Sequence, residues 1–185
     1  MKNNLISVLL LSIAASMAHA GMMDDLNKSA GGDLEKKVSG QAREKARAEG
    51  NKKLAVQVNK RLLAEARKNQ CAFKSGTDEL EPGCGKKSKK LASVIIDVKK
   101  TLQSQGQSGF KFVVSGHTDA SGDAAKNMEL SARRAQVMVK ELIGQGVDAG
   151  DIEAVGMGSK QRLVKPDNTP AKRAKNRRYE VQVRF

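Results

Sequence analysis

Asp119 and Arg134 are the two residues of this chain best placed by type and spacing to do chemistry together. The acid sits in the small-residue stretch Gly116-His117-Thr118-Asp119-Ala120-Ser121-Gly122, and the base follows on what reads as a helix. A carboxylate and a guanidinium held apart on a strand–loop–helix frame suit a ligand that carries both an ammonium and a carboxylate. The loop adds backbone N–H groups at a strand end and a helix start, and such groups attract an anion. Catalytic groups are harder to find. His117 is the one histidine beyond residue 20, no serine or thiol stands at a nucleophile spacing, and no carboxylate pair has the pattern of a glycosidase. The residues read as a binding site, not an enzyme, with no cofactor and no metal.

Helical geometry sorts the neighbours. At about 100° per residue, with Leu130 at zero, Asn127 falls near 60°, Met138 near 80°, Ser131 near 100° and Leu142 near 120°. These residues define the face turned toward the protein. On the same wheel Arg134 falls at about 40°, on the flank of that face, and Arg133 at about 300°, toward solvent. From spacing alone two arrangements stay open: Asp119 and Arg134 pair with each other, or both face a ligand. Asn127 is expected to order the loop and touch the ligand, with helix capping as its other use. Thr118 is a side-chain or backbone contributor. Leu130 is a core residue whose backbone N–H is a candidate donor, and His117 is a positioned structural residue.

The elements that must hold these groups follow from periodicity. Residues 85–103 carry Leu91, Val94, Ile95, Val98 and Leu102 on one helical face, and residues 126–143 form a second helix ended by Gly144 and Gly146. Strands are expected at 71–75, 110–115, 151–155 and 179–185, the last from clean alternation of Tyr179, Val181, Val183 and Phe185 with polar residues. Residues 156–173 read as a long excursion. Residues 34–49 and 52–68 repeat a narrow apolar stripe, Leu54, Val58, Leu62 and Ala66 in the second copy, interrupted at Gly50-Asn51. Such a stripe suits a weakly packed linker helix, a helix laid on the following domain, or a homodimer seam.

The ends and the composition set the setting. Lys2, the apolar run Leu5–Ala15 and Ala18-His19-Ala20 read as an exported leader cleaved near Ala20, too short to span a bilayer. No cysteine follows the apolar run, so a lipoprotein anchor is not expected. The expected organisation is a leader at 1–20, a charged helical segment at 21–70 and one domain at 71–185. A net charge of +14, spread over both parts, favours polyanionic surroundings. It comes without stacking aromatics or a groove-reading helix, so nucleic acid is not an expected partner. Cys71 and Cys84 in an exported chain are most simply a disulfide. A metal site with His117 is the alternative.

The motif also resembles a family signature. Gly116-His117-Thr118-Asp119, then Asn127, Leu130, Ser131, Arg134 and Ala135, is similar to the GHTD and N-x-x-L-S-x-x-R-A pattern of the OmpA-like C-terminal domain. A second stretch, Arg173-Ala-Lys-Asn176-Arg177-Arg178-Tyr179-Glu180, resembles that family's closing motif, with Lys172 where a glycine is usual. Val155-Gly-Met-Gly158 resembles its V-G-x-G, with Met157 where an aromatic is common. The resemblance implies an α/β (α+β) two-layer sandwich of order β-α-β-α-β-β over residues 71–185, preceded by a helical segment. It implies non-covalent binding of peptidoglycan through the diaminopimelate of the stem peptide. Asp119 would take the ammonium and Arg134 the carboxylate, with Asn127, Thr118 and Leu130 around them and Arg177 and Arg178 as secondary contacts. The implied setting is the periplasm, at the wall or outer membrane, with an envelope protein docked on residues 21–70. A basic polyanion-binding adaptor is the alternative function.

Overall fold

The computed structural model describes residues 33–74 and 76–185. The leader expected at 1–20 lies outside the described residues. The element order is α1 (Asp33–Lys68), α2 (Cys84–Ser104), β1 (Lys111–His117), α3 (Ala124–Gly144), β2 (Ile152–Gly156), α4 (Pro170–Asn176) and β3 (Arg178–Arg184). A 3-10 turn, Ala149–Asp151, leads into β2. Among the described residues no helix is long and apolar enough to cross a membrane.

The sheet has three strands in the order β2-β1-β3, with β1 parallel to β2 and antiparallel to β3. The parallel pair is the product of the strand–helix–strand unit through α3. Phe112, Val113 and Val114 of β1 are all buried, so the central strand is covered on both faces. Helix α3 packs across β1 and β2 and against α2, which buries Leu91, Ile95, Val98 and Leu102. The α/β sandwich expected from the sequence is the fold.

Three local expectations need correction. The strand expected at 71–75 is a single bridge, Phe73 with Leu80. Lys74 N–H donates to the Glu79 carbonyl at 2.9 Å and Glu81 N–H to the Ala72 carbonyl at 2.9 Å, so the segment folds back on itself instead of joining the sheet. The excursion at 156–173 holds the start of α4, with Thr169 as its N-cap and Pro170 in the first turn. Helix α1 runs unbroken through Gly50 and Asn51. A single interior glycine costs a helix only about 1 kcal/mol.

The chain divides into two compact units at Lys53, and the second runs from Leu54 to Phe185. Leu54, Leu62 and Ala66 are buried in that unit. The weakly packed linker is thereby corrected over these residues, and the Leu54–Leu62 stripe is not an open seam for a second copy. Asn59 on α1 and Gln70 just beyond its end turn their carboxamides to the outer edge of β3. Asn59 donates to the Val183 carbonyl at 3.2 Å and accepts from its N–H at 2.6 Å. Gln70 donates to the Tyr179 carbonyl at 2.8 Å and accepts from its N–H at 3.2 Å.

Cys71 and Cys84 form a disulfide, with Cα atoms 5.1 Å apart. The bridge closes the fold-back segment and ties it to the start of α2. Replacing both cysteines by serine is expected to lower stability by about 3 kcal/mol, from the entropy of the loop released in the unfolded chain. Urea denaturation of the double variant measures it, and an unchanged midpoint would show that the bridge constrains nothing.

Candidate functional site

Two glycines let α3 lie on the sheet. Gly116 and Gly156 face each other as partners on β1 and β2. A Cβ at Gly156 would stand 2.8 Å from the Met128 carbonyl oxygen and from Ala132, both on α3. A Cβ at Gly116 would overlap the carbonyl oxygen of Ser131. The Ser131 hydroxyl donates to the Met128 carbonyl and accepts from Gly158 N–H, while Thr118 N–H donates to the Gly158 carbonyl. Much of the sequence motif is thus scaffold: it locks α3, the end of β1 and the turn after β2 into one piece.

That piece frames a pocket of about 780 Å³. All five residues expected to bind ligand line it: Asp119, Arg134, Asn127, Thr118 and Leu130. Arg177 and Arg178 line it too. Their states differ. Asp119 is buried, accepts from Ser121 N–H at 3.0 Å, and pairs with Arg177 at 2.8 Å. Of the two arrangements left open by spacing, the Asp119–Arg134 pair is not formed: the acid pairs with Arg177 instead, and both residues line the pocket. Burial pushes its carboxyl up, but the Arg177 hydrogen bond, the Ser121 bonds and the Arg177 charge outweigh this and hold it below the ordinary carboxylate value.

Arg134 is buried, whereas the side chain of Arg133 is 43% exposed and pairs with Glu129 at 2.8 Å. Arg134 Nε donates to the Thr77 carbonyl at 2.8 Å, Nη2 reaches the Lys74 carbonyl at 3.4 Å, and the guanidinium lies 5.0 Å from the Phe73 ring centre. The fold-back segment therefore orients this arginine without neutralising it. Among the described residues no carboxylate lies within 4.0 Å of it. Burial lowers its pKa, and the Arg177 charge lowers it further against the opposing pull of Asp119.

The other members take narrower parts. Asn127 donates to the Ser121 carbonyl at 2.8 Å and so closes the loop, while Asp123 caps α3 by accepting from Lys126 N–H. Leu130 is half-buried and lies beyond the first turn of α3, where N–H groups are already used by the helix. It offers an apolar wall, not the backbone donor expected. Thr118 N–H is also committed, and its buried hydroxyl has no protein partner. Arg178 is held by Glu180 at 2.8 Å and by the Gln161 and Asn176 carbonyls, so its fork is spent on the fold.

One residue escaped assignment from sequence. Asn176 is fully buried and makes four hydrogen bonds: it accepts from Leu163 and Val164 N–H and donates to the Val164 carbonyl and to Asp167. Asp167 in turn accepts from Ala120 N–H at 2.9 Å in the acid's own loop. The excursion is thereby moored to the pocket. The signal was an asparagine two residues before a buried strand, among charged neighbours that had no core role.

His117 is buried with neither ring nitrogen hydrogen-bonded, and lies 3.9 Å from Glu180. Burial and the Arg178 charge, against Glu180, push its pKa down to about 4. As pH falls below the ordinary histidine value the unfolded chain takes a proton that the folded one refuses. Stability therefore drops between about pH 6.5 and 4, by about 3 kcal/mol, and this part of the loss is complete below that range. Urea midpoints at neutral pH and at pH near 4.5 check the sign. His117→Leu, which gives up no hydrogen bond, should flatten the dependence. Among the described residues no group of three or more His, Cys, Asp or Glu is placed to hold a metal ion.

Comparison with known proteins adds four findings. The model of the OmpA family matches residues 72–177, more than half of the chain. The peptidoglycan-binding protein ArfA of Mycobacterium tuberculosis is 38% identical over 73 residues, covering 40% of this chain and 22% of ArfA. The peptidoglycan-associated lipoprotein of Pseudomonas aeruginosa is 39% identical over 83 residues, 45% of this chain and 47% of the relative. The chain thus spans less than half the length of these curated relatives. In structure, the C-terminal domain of Helicobacter pylori MotB is similar in fold, with a TM-score of 0.52 and 23% identity over 63% of this chain and 84% of that domain.

Proposed function

The chain belongs to the OmpA family, and from that premise we propose that it binds peptidoglycan non-covalently through the diaminopimelate of the stem peptide. The observation that carries the reading is the pocket itself, which gathers Asp119 and an un-neutralised Arg134 in one cavity. The free end of meso-diaminopimelate is a zwitterion. Its ammonium goes to Asp119, whose two oxygens each hold one bond and keep a further lone pair. Its carboxylate goes to the Arg134 fork, which suits a planar anion. A lysine-type stem lacks that carboxylate and leaves Arg134 unpaired. Two relatives named for peptidoglycan support the ligand class.

The role is that of a binding protein of the periplasm, at the wall or outer membrane after removal of residues 1–20. Residues 71–185 are the wall-binding module, with residues 54–70 bracing it, and the part of 21–70 before Leu54 is the segment for an envelope partner. A sacculus pull-down tests the ligand. Wild type should be retained on diaminopimelate-type wall in moderate salt, and far less on lysine-type wall. Asp119→Ala should lose retention while still unfolding in one cooperative transition, at a lower midpoint because the Ser121 and Arg177 bonds go with it. Equal retention on both walls, collapsing with salt, would instead mark a general polyanion binder.

A further inference from the structure

The charge of the pocket exceeds what a single zwitterionic end requires. Four arginines line it: Arg134, Arg173, Arg177 and Arg178. Two of them have carboxylate partners, Arg177 on Asp119 and Arg178 on Glu180, each at 2.8 Å. Arg134 and Arg173 have none within 4.0 Å among the described residues. Arg134 is assigned above. Arg173 remains: half-buried on α4, in the pocket wall, its guanidinium held among the described residues by one long hydrogen bond of 3.5 Å to the Asp167 carbonyl. A guanidinium in a pocket wall with no carboxylate partner and only a weak bond to the protein keeps its fork available for an anion on a ligand. The acid left on the wall, Glu81, is exposed and forms no ion pair with either arginine.

We infer that Arg173 is a second anion seat, and that the ligand therefore presents one ammonium and two carboxylates, the second on the peptide beyond the zwitterionic end. This rests on the stem-peptide reading above. Arg173 is positioned for the role by elements already described. It lies on the helix turn just before Asn176, and that residue, with Asp167, moors α4 to the loop carrying Asp119. The ammonium seat at Asp119 and the seat at Arg173 are thus tied together through Asn176 and Asp167, so the site measures the spacing of charges on its ligand. A stem peptide offers two sources for the second carboxylate: the α-carboxylate of a γ-linked D-glutamate, and the L-centre carboxylate of the diaminopimelate when no residue follows it.

The test uses three synthetic peptides: L-Ala-γ-D-Glu-meso-diaminopimelate, the same peptide amidated at the glutamyl α-carboxylate, and the same peptide amidated at the L-centre carboxylate. Calorimetric titration of the full chain should show one of the two amides binding about tenfold more weakly, the worth of one charge-assisted pair. Which amide does so names the source. In Arg173→Ala that discrimination should vanish, and Arg173→Lys should restore part of it, since the charge returns without the fork. Asp119→Asn should lose all three peptides in either case. Wild type that binds all three equally, with binding lost in Asp119→Asn, overturns the second seat and leaves the stem-peptide reading standing. Wild type that binds none of them takes both down.

Discussion

Alanine at position 116 is expected to prevent the domain from folding stably, with a loss of at least about 3 kcal/mol, beyond the usual range for a surface change. The added methyl would overlap the Ser131 carbonyl oxygen and sit 3.0 Å from its carbon. These are backbone atoms in the middle of α3, so no side chain can rotate away. The helix itself must lift off β1, and with it go the Ser131 bonds to Met128 and Gly158. Gly122 provides the contrast. Its φ of 80° strains any other residue, yet a Cβ there meets nothing within 4 Å. Gly122→Ala should therefore cost only about 1 kcal/mol, the ordinary strain of a left-handed residue. Urea midpoints of the two variants side by side decide the matter. If Gly116→Ala is no worse than Gly122→Ala, the close approach of helix and sheet is not what the glycine serves.

Arg134→Ala is expected to weaken binding of a diaminopimelate-containing muropeptide by about 100-fold or more, the equivalent of losing a bidentate charged pair. The loss should be specific. Arg133→Ala, one residue away on the exposed side of the same helix, should bind as wild type does. Arg134→Lys should recover only part, because a lysine cannot at once reach the Thr77 and Lys74 carbonyls and present a fork to the ligand. Isothermal titration gives the affinities. A muropeptide that binds Arg134→Ala within a fewfold of wild type would remove Arg134 from the site.

Much of this was legible in the chain because it depends on local rules. Alternation in residues 179–185 marked β3, and the helical wheel separated Arg134 from Arg133, since both patterns follow from backbone period alone. The leftover features depend on tertiary partners that carry no local signature. Nothing in the spacing of Asp119 tells that Arg177, 58 residues later, holds it. The strand expected at 71–75 rested on little more than Phe73 ahead of a Gly- and Pro-containing turn, since Ala72 and Lys74 are not strand-favouring types. Its partner turned out to be its own distal half, at Glu79–Glu81. Pro170 after Thr169 is a helix start set among the polar residues of the excursion, without an apolar stripe to mark the short helix that follows.

The paired carboxamides of Asn59 and Gln70 have a bearing on how this protein lives with copies of itself. Strand β3 is the outer strand of its sheet, and an outer strand is a template on which another chain can add. At Tyr179 and Val183 the backbone groups that would recruit such a strand already hold side-chain amides shaped like a peptide bond. An incoming chain must displace the carboxamide at either position to bond there. Asn59 on α1 and Gln70 just beyond its end thus occupy two places at which a second chain would otherwise add to this edge.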